Sequence, residues 1–249
     1  TLFGSGSVGG TIRYITNQPR IGRNEALLEA NLNTVDEGDL GYHLKGAVNL
    51  PLSDKVAVRA VGYGTKYAGF IDAIGPAGGK DINDGSRVGA RLSMLFQPTE
   101  AIRLTPRFVY QKVKANGFNR AETYNLFTNQ FTTSQPRLGE RQQYLKLREE
   151  FRDTTKLFDL TASVDLGPVE VTSVSSYIDR DILVSRDASA LTGSVYISFA
   201  GLVPAAAPGA DLPSNLRDTT ALEQWTQELR LSSTGQGPLQ WVLGGFYSG

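Results

Sequence analysis

The run Gly4-Ser5-Gly6-Ser7-Val8-Gly9-Gly10 contains G-x-G-x-x-G, the spacing that lets a backbone turn approach a pyrophosphate. That chemistry needs a strand before the glycines and a helix after them, so that the phosphates meet the helix N-terminus. Only Thr1-Leu2-Phe3 precede the glycines here, and Thr11-Ile12-Arg13-Tyr14-Ile15-Thr16 is alternating and β-branched, which is a strand signal. The glycines therefore read as a turn and a close backbone approach, not as a phosphate cradle.

Other reactive constellations are thin. His43 is the lone histidine and there is no cysteine, so no multi-histidine metal site, cysteine chemistry or disulfide framework can be built. A Ser-His-Asp arrangement would depend on His43 alone, no G-x-S-x-G run accompanies it, and its alternating surroundings make it a strand side chain. An enzyme is thus the weaker class, and neither cofactor nor metal is expected. Twenty-five basic and 25 acidic side chains balance to zero net charge, which gives no electrostatic case for nucleic acid.

The elements carrying these residues are strands. Alternation marks them at 25–34, 40–50, 55–66, 86–97, 101–113, 154–166, 169–180, 221–233 and 238–248. Val88, Ala90, Leu92, Met94 and Phe96 share one face against Arg87, Gly89, Arg91 and Ser93. Ile102, Leu104, Pro106, Phe108 and Tyr110 do the same against Arg103, Thr105, Arg107 and Gln111. No segment reads as a long amphipathic helix, and the uncharged stretch 188–210 reads as a loop because of its glycines, serines and two prolines. Arg141 to Asp153 reads as a solvated, mixed-charge strand extension or loop face.

A sheet with one apolar and one polar face suits a soluble sandwich as well as a membrane barrel. Connection lengths separate them. Tight turns at 51–54, 97–100, 167–168 and 234–237 alternate with longer connections at 67–85, 114–153 and 181–220, only the first connection, near 35–39, being short. Short turns on one side and long loops on the other are the layout of outer-membrane barrels.

Leu2-Phe3-Gly4, Gly9-Gly10, Ile12, Ile15-Thr16 and Pro19 closely resemble the end of the plug domain in TonB-dependent outer-membrane receptors. Gln227-Glu228-Leu229-Arg230-Leu231-Ser232-Ser233 followed by Gly237-Pro238-Leu239-Gln240-Trp241-Val242-Leu243-Gly244-Gly245-Phe246-Tyr247 resembles a mid-barrel hairpin of the same family. The resemblance implies an all-β chain: the plug tail over 1–20, then the first part of an antiparallel transmembrane β-barrel over 21–249. Plugged transporters have 22 strands, so nine strands at roughly 25 residues each make about two-fifths of a barrel near 560 residues. An open arc with two unpaired edges is not expected to insert into a bilayer by itself.

The implied function is energised uptake of a scarce, bulky solute across a Gram-negative outer membrane, with a ferric siderophore foremost. A saccharide, cobalamin or a soluble β-rich binding module are the alternatives. The implied partners are the TonB complex, a ferric chelate or other small solute, and outer-membrane lipid. Gly4, Gly9, Gly10 and Pro19 then mark the plug–barrel junction. Arg59, Arg87, Arg91, Arg103 and Arg107 face the lumen, where they either steer an anionic ligand or pair with plug carboxylates. Phe118, Tyr124, Phe127 and Phe131 are candidates for gripping ligand from an extracellular loop, or for packing that loop on itself. Trp241 and Tyr247 suit aromatic girdles at the membrane interfaces.

Overall fold

The computed structural model describes residues 15–125, 137–200 and 212–249. In chain order they form β1 (Glu25–Thr34), β2 (Leu40–Pro51), β3 (Val56–Tyr67), β4 (Asp72–Ile74), β5 (Gly85–Thr99) and β6 (Ile102–Ala115). There follow β7 (Gln142–Tyr144), β8 (Glu150–Asp165), β9 (Val169–Asp187), α1 (Ser189–Ala200), β10 (Asn215–Ser233) and β11 (Val242–Ser248). Nine strands make one sheet in the order β1-β2-β3-β5-β6-β8-β9-β10-β11. Every neighbouring pair in it is antiparallel, so the chain meanders from one edge to the other. Strands β4 and β7 pair in parallel as a separate short ribbon.

Burial in the large sheet is the reverse of a soluble sandwich. Leu44, Val48, Val88, Leu92, Phe108, Phe158, Leu229 and Leu243 are exposed, whereas Asn49, Arg59, Ser93, Asp153 and Asp159 are buried. Cross-strand partners share a face, so register extends each face across the sheet. The apolar face carries Leu40, Tyr42, Leu44, Val48 and Leu50 on β2, Val56, Val58 and Ala60 on β3, and the Val88–Phe96 set on β5. On β6 it runs from Ile102 to Tyr110, matching the 9–11 residues that take a tilted strand across a bilayer. No Asp, Glu, Lys or Arg interrupts this band on any of the nine strands. Charge first appears at its long-loop end, at Lys66, Lys112, Lys156, Asp179 and Glu223, the last three in one register row.

The reversals at one end are short. Leu52 N and Ser53 N both donate to Val56 O, at 2.8 and 3.1 Å. Between β8 and β9, Gly167 adopts φ 89°, a left-handed conformation that glycine enters without a Cβ penalty. The opposite end carries the long connections, as the sequence implied, but they hold more structure than loops. Parallel pairing of β4 with β7 ties the β3–β5 connection to the β6–β8 connection. The stretch 188–210, read as a loop, begins with the three-turn α1. Its start is fixed by Asp187 Oδ1, which accepts from Ser189 N at 2.9 Å, and by Thr192 N donating to Ala188 O at 2.9 Å. Its sequence, SALTGSVYISFA, mixes small polar and apolar residues with no polar stripe at helical spacing, so periodicity leaves no trace of it. At 12 residues α1 is too short to cross a membrane, and no helix among the described residues is long and apolar enough to do so.

Candidate functional site

One row of cross-strand partners crosses the polar face from edge to edge: Glu25, Asn49, Arg59, Ser93, Arg107, Asp159, Ser176, Thr226 and Ser248. All nine are polar, which a soluble core does not tolerate without partners. The partners are present. Arg59 Nη1 donates to Glu25 Oε2 at 3.0 Å, Arg107 Nε to Asp159 Oδ2 at 2.6 Å, and the Ser176 and Thr226 hydroxyls meet at 2.5 Å.

The segment entering β1 lies on this row. Asn49 is fully buried, accepts from Arg20 N at 2.9 Å, and donates to Arg20 O at 2.9 Å and Arg23 O at 2.6 Å. An amide side chain thus completes the hydrogen bonding of a passing backbone, as a neighbouring strand would. Further along, Arg91 Nη2 reaches Asn17 O and Arg107 Nη1 reaches Thr16 Oγ1, each at 3.4 Å. Pro19 is buried between these contacts.

The five arginines expected on the polar face are there. Arg59 and Arg107 pair with carboxylates of the sheet, Glu25 and Asp159. What the segment entering β1 supplies among the described residues is a backbone carbonyl and a hydroxyl. Arg91 has no carboxylate partner there, and the Nε atoms of Arg59 and Arg91 are buried without a hydrogen bond. Arg87 lies over the Tyr63 ring at 5.2 Å and donates to Gln111 Oε1 at 2.8 Å, sharing that acceptor with Tyr63 Oη at 2.7 Å. Register sets Asp159 directly opposite Arg107 and puts Glu25 in the same row as Arg59, two strands away.

Above the apolar band the loops form a compact layer. Asn83 is buried, with Oδ1 accepting from Phe70 N (2.7 Å) and Ile71 N (2.8 Å) and Nδ2 donating to Asn119 at 2.8 Å. A cavity of about 710 Å³ opens in this layer, lined by Asp39, Lys80, Asp84, Lys114, Arg148 and Glu149 among others. Arg186 sits over the Phe118 ring at 5.0 Å and Arg137 over Tyr124 at 5.6 Å, so both aromatics are engaged with the chain's own cations. Tyr124 remains 40% exposed and available at the surface.

Read as a solvated stretch, 141–153 instead contains two buried carboxylates, Glu149 and Asp153. Burial pushes Glu149 above the usual carboxylate range, outweighing Arg120 at 3.3 Å and the N–H of Asp187 at 3.1 Å. Burial acts the same way on Asp187, but hydrogen bonds from Ser189, Leu147 and Lys146 overcome it and hold that group below its ordinary value. Arg180 grips Asp153 through two hydrogen bonds at 3.1 and 2.6 Å. Two like carboxyls in one loop layer are thereby driven apart in acidity.

Trp241 and Tyr247 share a face of the last hairpin with Leu243, and are 40% and 65% exposed. A larger aromatic row, not seen as one from sequence, lies beside them: Phe108, Phe158, Tyr177 and Trp225 are successive cross-strand partners on the apolar face, each 40–49% exposed. Phe108 and Phe158 were legible by parity; only register brings all four together. Gly4, Gly9, Gly10, Phe127 and Phe131 lie outside the described residues. Among the described residues no three His, Asp or Glu side chains gather as a metal-ion site. His43 is a strand side chain, its Nδ1 at 2.7 Å from Thr65 Oγ1.

No protein-family model matches the chain, and no curated protein matches it. Solved structures do. The open form of the ferric-catecholate import receptor Fiu from E. coli K12 matches over 94% of this chain, with TM-score 0.57 and 16% identity. Its closed form matches over 89%, with TM-score 0.53 and 18% identity. The shared fold is part of an antiparallel β-barrel. The chain spans about a third of those receptors, 35% and 30% of their lengths. In a barrel of the Fiu type, the polar row of nine residues faces the interior and the charge-free band faces outward.

Proposed function

We propose that this chain is the plug end and first barrel strands of a TonB-dependent outer-membrane receptor that imports a ferric siderophore. The observation that carries the reading is the pairing of an outward, charge-free apolar face with an inward polar row on which residues 16–20 are held. Residues 1–20 form the plug tail, with Gly4, Gly9, Gly10 and Pro19 at the junction, and 21–249 the wall. A segment held by side-chain amide and guanidinium contacts, rather than by strand pairing, can stay anchored while the part upstream rearranges under the pull of the TonB complex. Fiu, which shares the fold, is a ferric-catecholate import receptor, and this supports an anionic iron chelate as cargo.

In this reading Arg91, which has no carboxylate partner among the described residues while Arg59 and Arg107 are paired with Glu25 and Asp159, gives the interior positive potential, and Tyr124 with Phe118 belongs to the outer loop layer. Focusing of potential by a low-dielectric wall raises the local concentration of an anion. Trp241 and Tyr247 sit at the edges of the lipid band. The test is growth of an iron-starved Gram-negative strain whose sole siderophore receptor is the full-length protein containing this chain. Growth on a ferric catecholate that requires the TonB complex is expected. Rescue by a saccharide or cobalamin instead would replace the cargo, and growth independent of the TonB complex would overturn the mechanism.

A further inference from the structure

We infer that the outward wall of β8 to β11 is a contact surface for a second copy of the protein within the membrane; the inference rests on the outer-membrane reading above. Two central levels of the charge-free band carry it. One is the row Leu160, Ser175, Gln227 and Tyr247; the row next to it, toward the tight turns, is Ala162, Ser173, Leu229 and Gly245. Gln227 Oε1 accepts from Ser175 Oγ at 2.5 Å, and Gln227 Nε2 donates to Ser173 Oγ at 2.9 Å and to Glu228 O at 3.0 Å. All three side chains are half-buried. Further round the wall the same two levels hold only hydrocarbon: Leu104 and Pro106 on β6, Phe96 on β5 and Val56 on β3.

An amide and two hydroxyls thus stand together in the middle of a lipid-facing span, where acyl chains offer no hydrogen bond. The cluster meets part of its own demand. Ser173 Oγ accepts from Gln227, but its own proton has no acceptor among the described residues. Gln227 Oε1, a carbonyl oxygen with two lone pairs, takes one hydrogen bond there. One donor and one acceptor are left over.

Complementarity selects the occupant. A donor and an acceptor on one patch make it complementary to itself, as the two sides of an isologous contact must be. About a two-fold axis along the membrane normal, the Ser173 hydroxyl of each copy is offered to Gln227 Oε1 of the other. The patch is uncharged. The nearest charged side chains on this face, Lys156, Asp179 and Glu223, lie two levels beyond Ser175, so contact forces no like charges together in hydrocarbon. Ala162, Ser173, Ser175 and Gly245 are small, and a Cβ on Gly245 would meet nothing within 4 Å, so two walls can approach closely. Gly46, Gly62 and Gly64 make another smooth stretch on β2 and β3, but no amide or serine stands among them, and acyl chains suffice to cover it.

The test is oxidative disulfide trapping in the full-length protein, purified and reconstituted in lipid. Cysteines are placed one at a time at three outward leucines of similar exposure, 49–53%: Leu229→Cys in the patch, and Leu44→Cys and Leu92→Cys elsewhere on the wall. Leu229→Cys is expected to give a covalent dimer, and the other two on the order of tenfold less. Adding Gln227→Leu, which removes the amide from both copies, should cut the trapped dimer about tenfold. No dimer at Leu229→Cys, or equal trapping at all three positions, overturns the contact, as does trapping that Gln227→Leu leaves unchanged. In native outer membranes, a Leu229→Cys product with a different protein assigns the patch to that protein and overturns the second copy. Should the Gln227→Leu variant fail to fold, the comparison of the three single-cysteine proteins still decides. Heat-modifiable migration separates the two levels: a protein with no folded barrel contradicts the membrane reading, whereas a folded barrel that stays monomeric contradicts only the contact.

Discussion

Asn49 replaces a missing strand for Arg20, accepting from its N–H and donating to its C=O, both at 2.9 Å, from a position with no solvent exposure. This clamp joins the segment before β1 to the second strand of the wall, and among the described residues it is the one place where that segment is held through both backbone groups of a residue. Replacing Asn49 by Leu keeps the volume but strands the backbone groups of Arg20 and Arg23. A loss of about 1–3 kcal/mol is expected, read as a lower urea midpoint of the full-length folded barrel. An unchanged midpoint would show that the segment is held elsewhere.

Arg107 and Asp159, adjacent in the polar row at 2.6 Å, should behave as a coupled pair. The Asp159 side chain is 8% exposed and Arg107 28%, so partial solvent contact softens the penalty of a broken pair. Arg107→Met is expected to cost about 2–3 kcal/mol by leaving a buried carboxylate alone. Adding Asp159→Leu should recover part of it. A double-mutant cycle with no coupling energy would contradict the pairing.

Gly89 makes room for Tyr63. A Cβ on residue 89 would come within 2.4 Å of Tyr63 Oη and 2.9 Å of Tyr110 O, so Gly89→Ala must displace the ring from Gln111 and from under Arg87. The expected cost is about 1–3 kcal/mol, typical of overpacking. The companion Tyr63→Ala removes both the hydroxyl and the ring Cζ, which would lie at 2.5 Å, and should relieve most of it. If Gly89→Ala is as stable as the parent, the ring is not fixed there.

Acid should tighten the loop layer before it loosens it. The Glu149 carboxyl is raised by burial, so its stabilising contribution is fully present below the unfolded value and is lost as pH rises through the folded value. Asp187 is depressed, so its contribution is present above the unfolded value and is lost as pH falls through the folded one. Limited proteolysis of the loops should therefore slow on going from neutral to mildly acidic pH and accelerate again in strong acid. Glu149→Gln should abolish the first change and leave the second. A variant that keeps both changes would locate the titration elsewhere.

The nine strands were legible because each obeys a two-residue period, from Val88–Phe96 to Phe158–Val164, and because tight turns alternate with long connections. Faces were legible for the same reason. Partners were not. Parity puts Arg107 on the polar face, but only register sets it opposite Asp159, and only the path of residues 16–20 brings Thr16 to it. Helix α1 escaped because it has no polar stripe, and β4 and β7 because three-residue strands carry no period. Glu149 looked solvated within a mixed-charge run, since burial by neighbouring loops leaves no local mark in sequence.

The central claim is the inverted sheet, apolar outward and polar inward. The chain has no cysteine, so single spin-labelled cysteines can be placed along β5 from residue 87 to 96 in the full-length protein reconstituted in lipid. Accessibility to lipid-soluble oxygen should peak at 88, 90, 92, 94 and 96, with minima at 87, 89, 91 and 93. A polar nickel complex should not reach the even positions within the band. Oxygen maxima at the odd positions, or no two-residue period, would contradict the account.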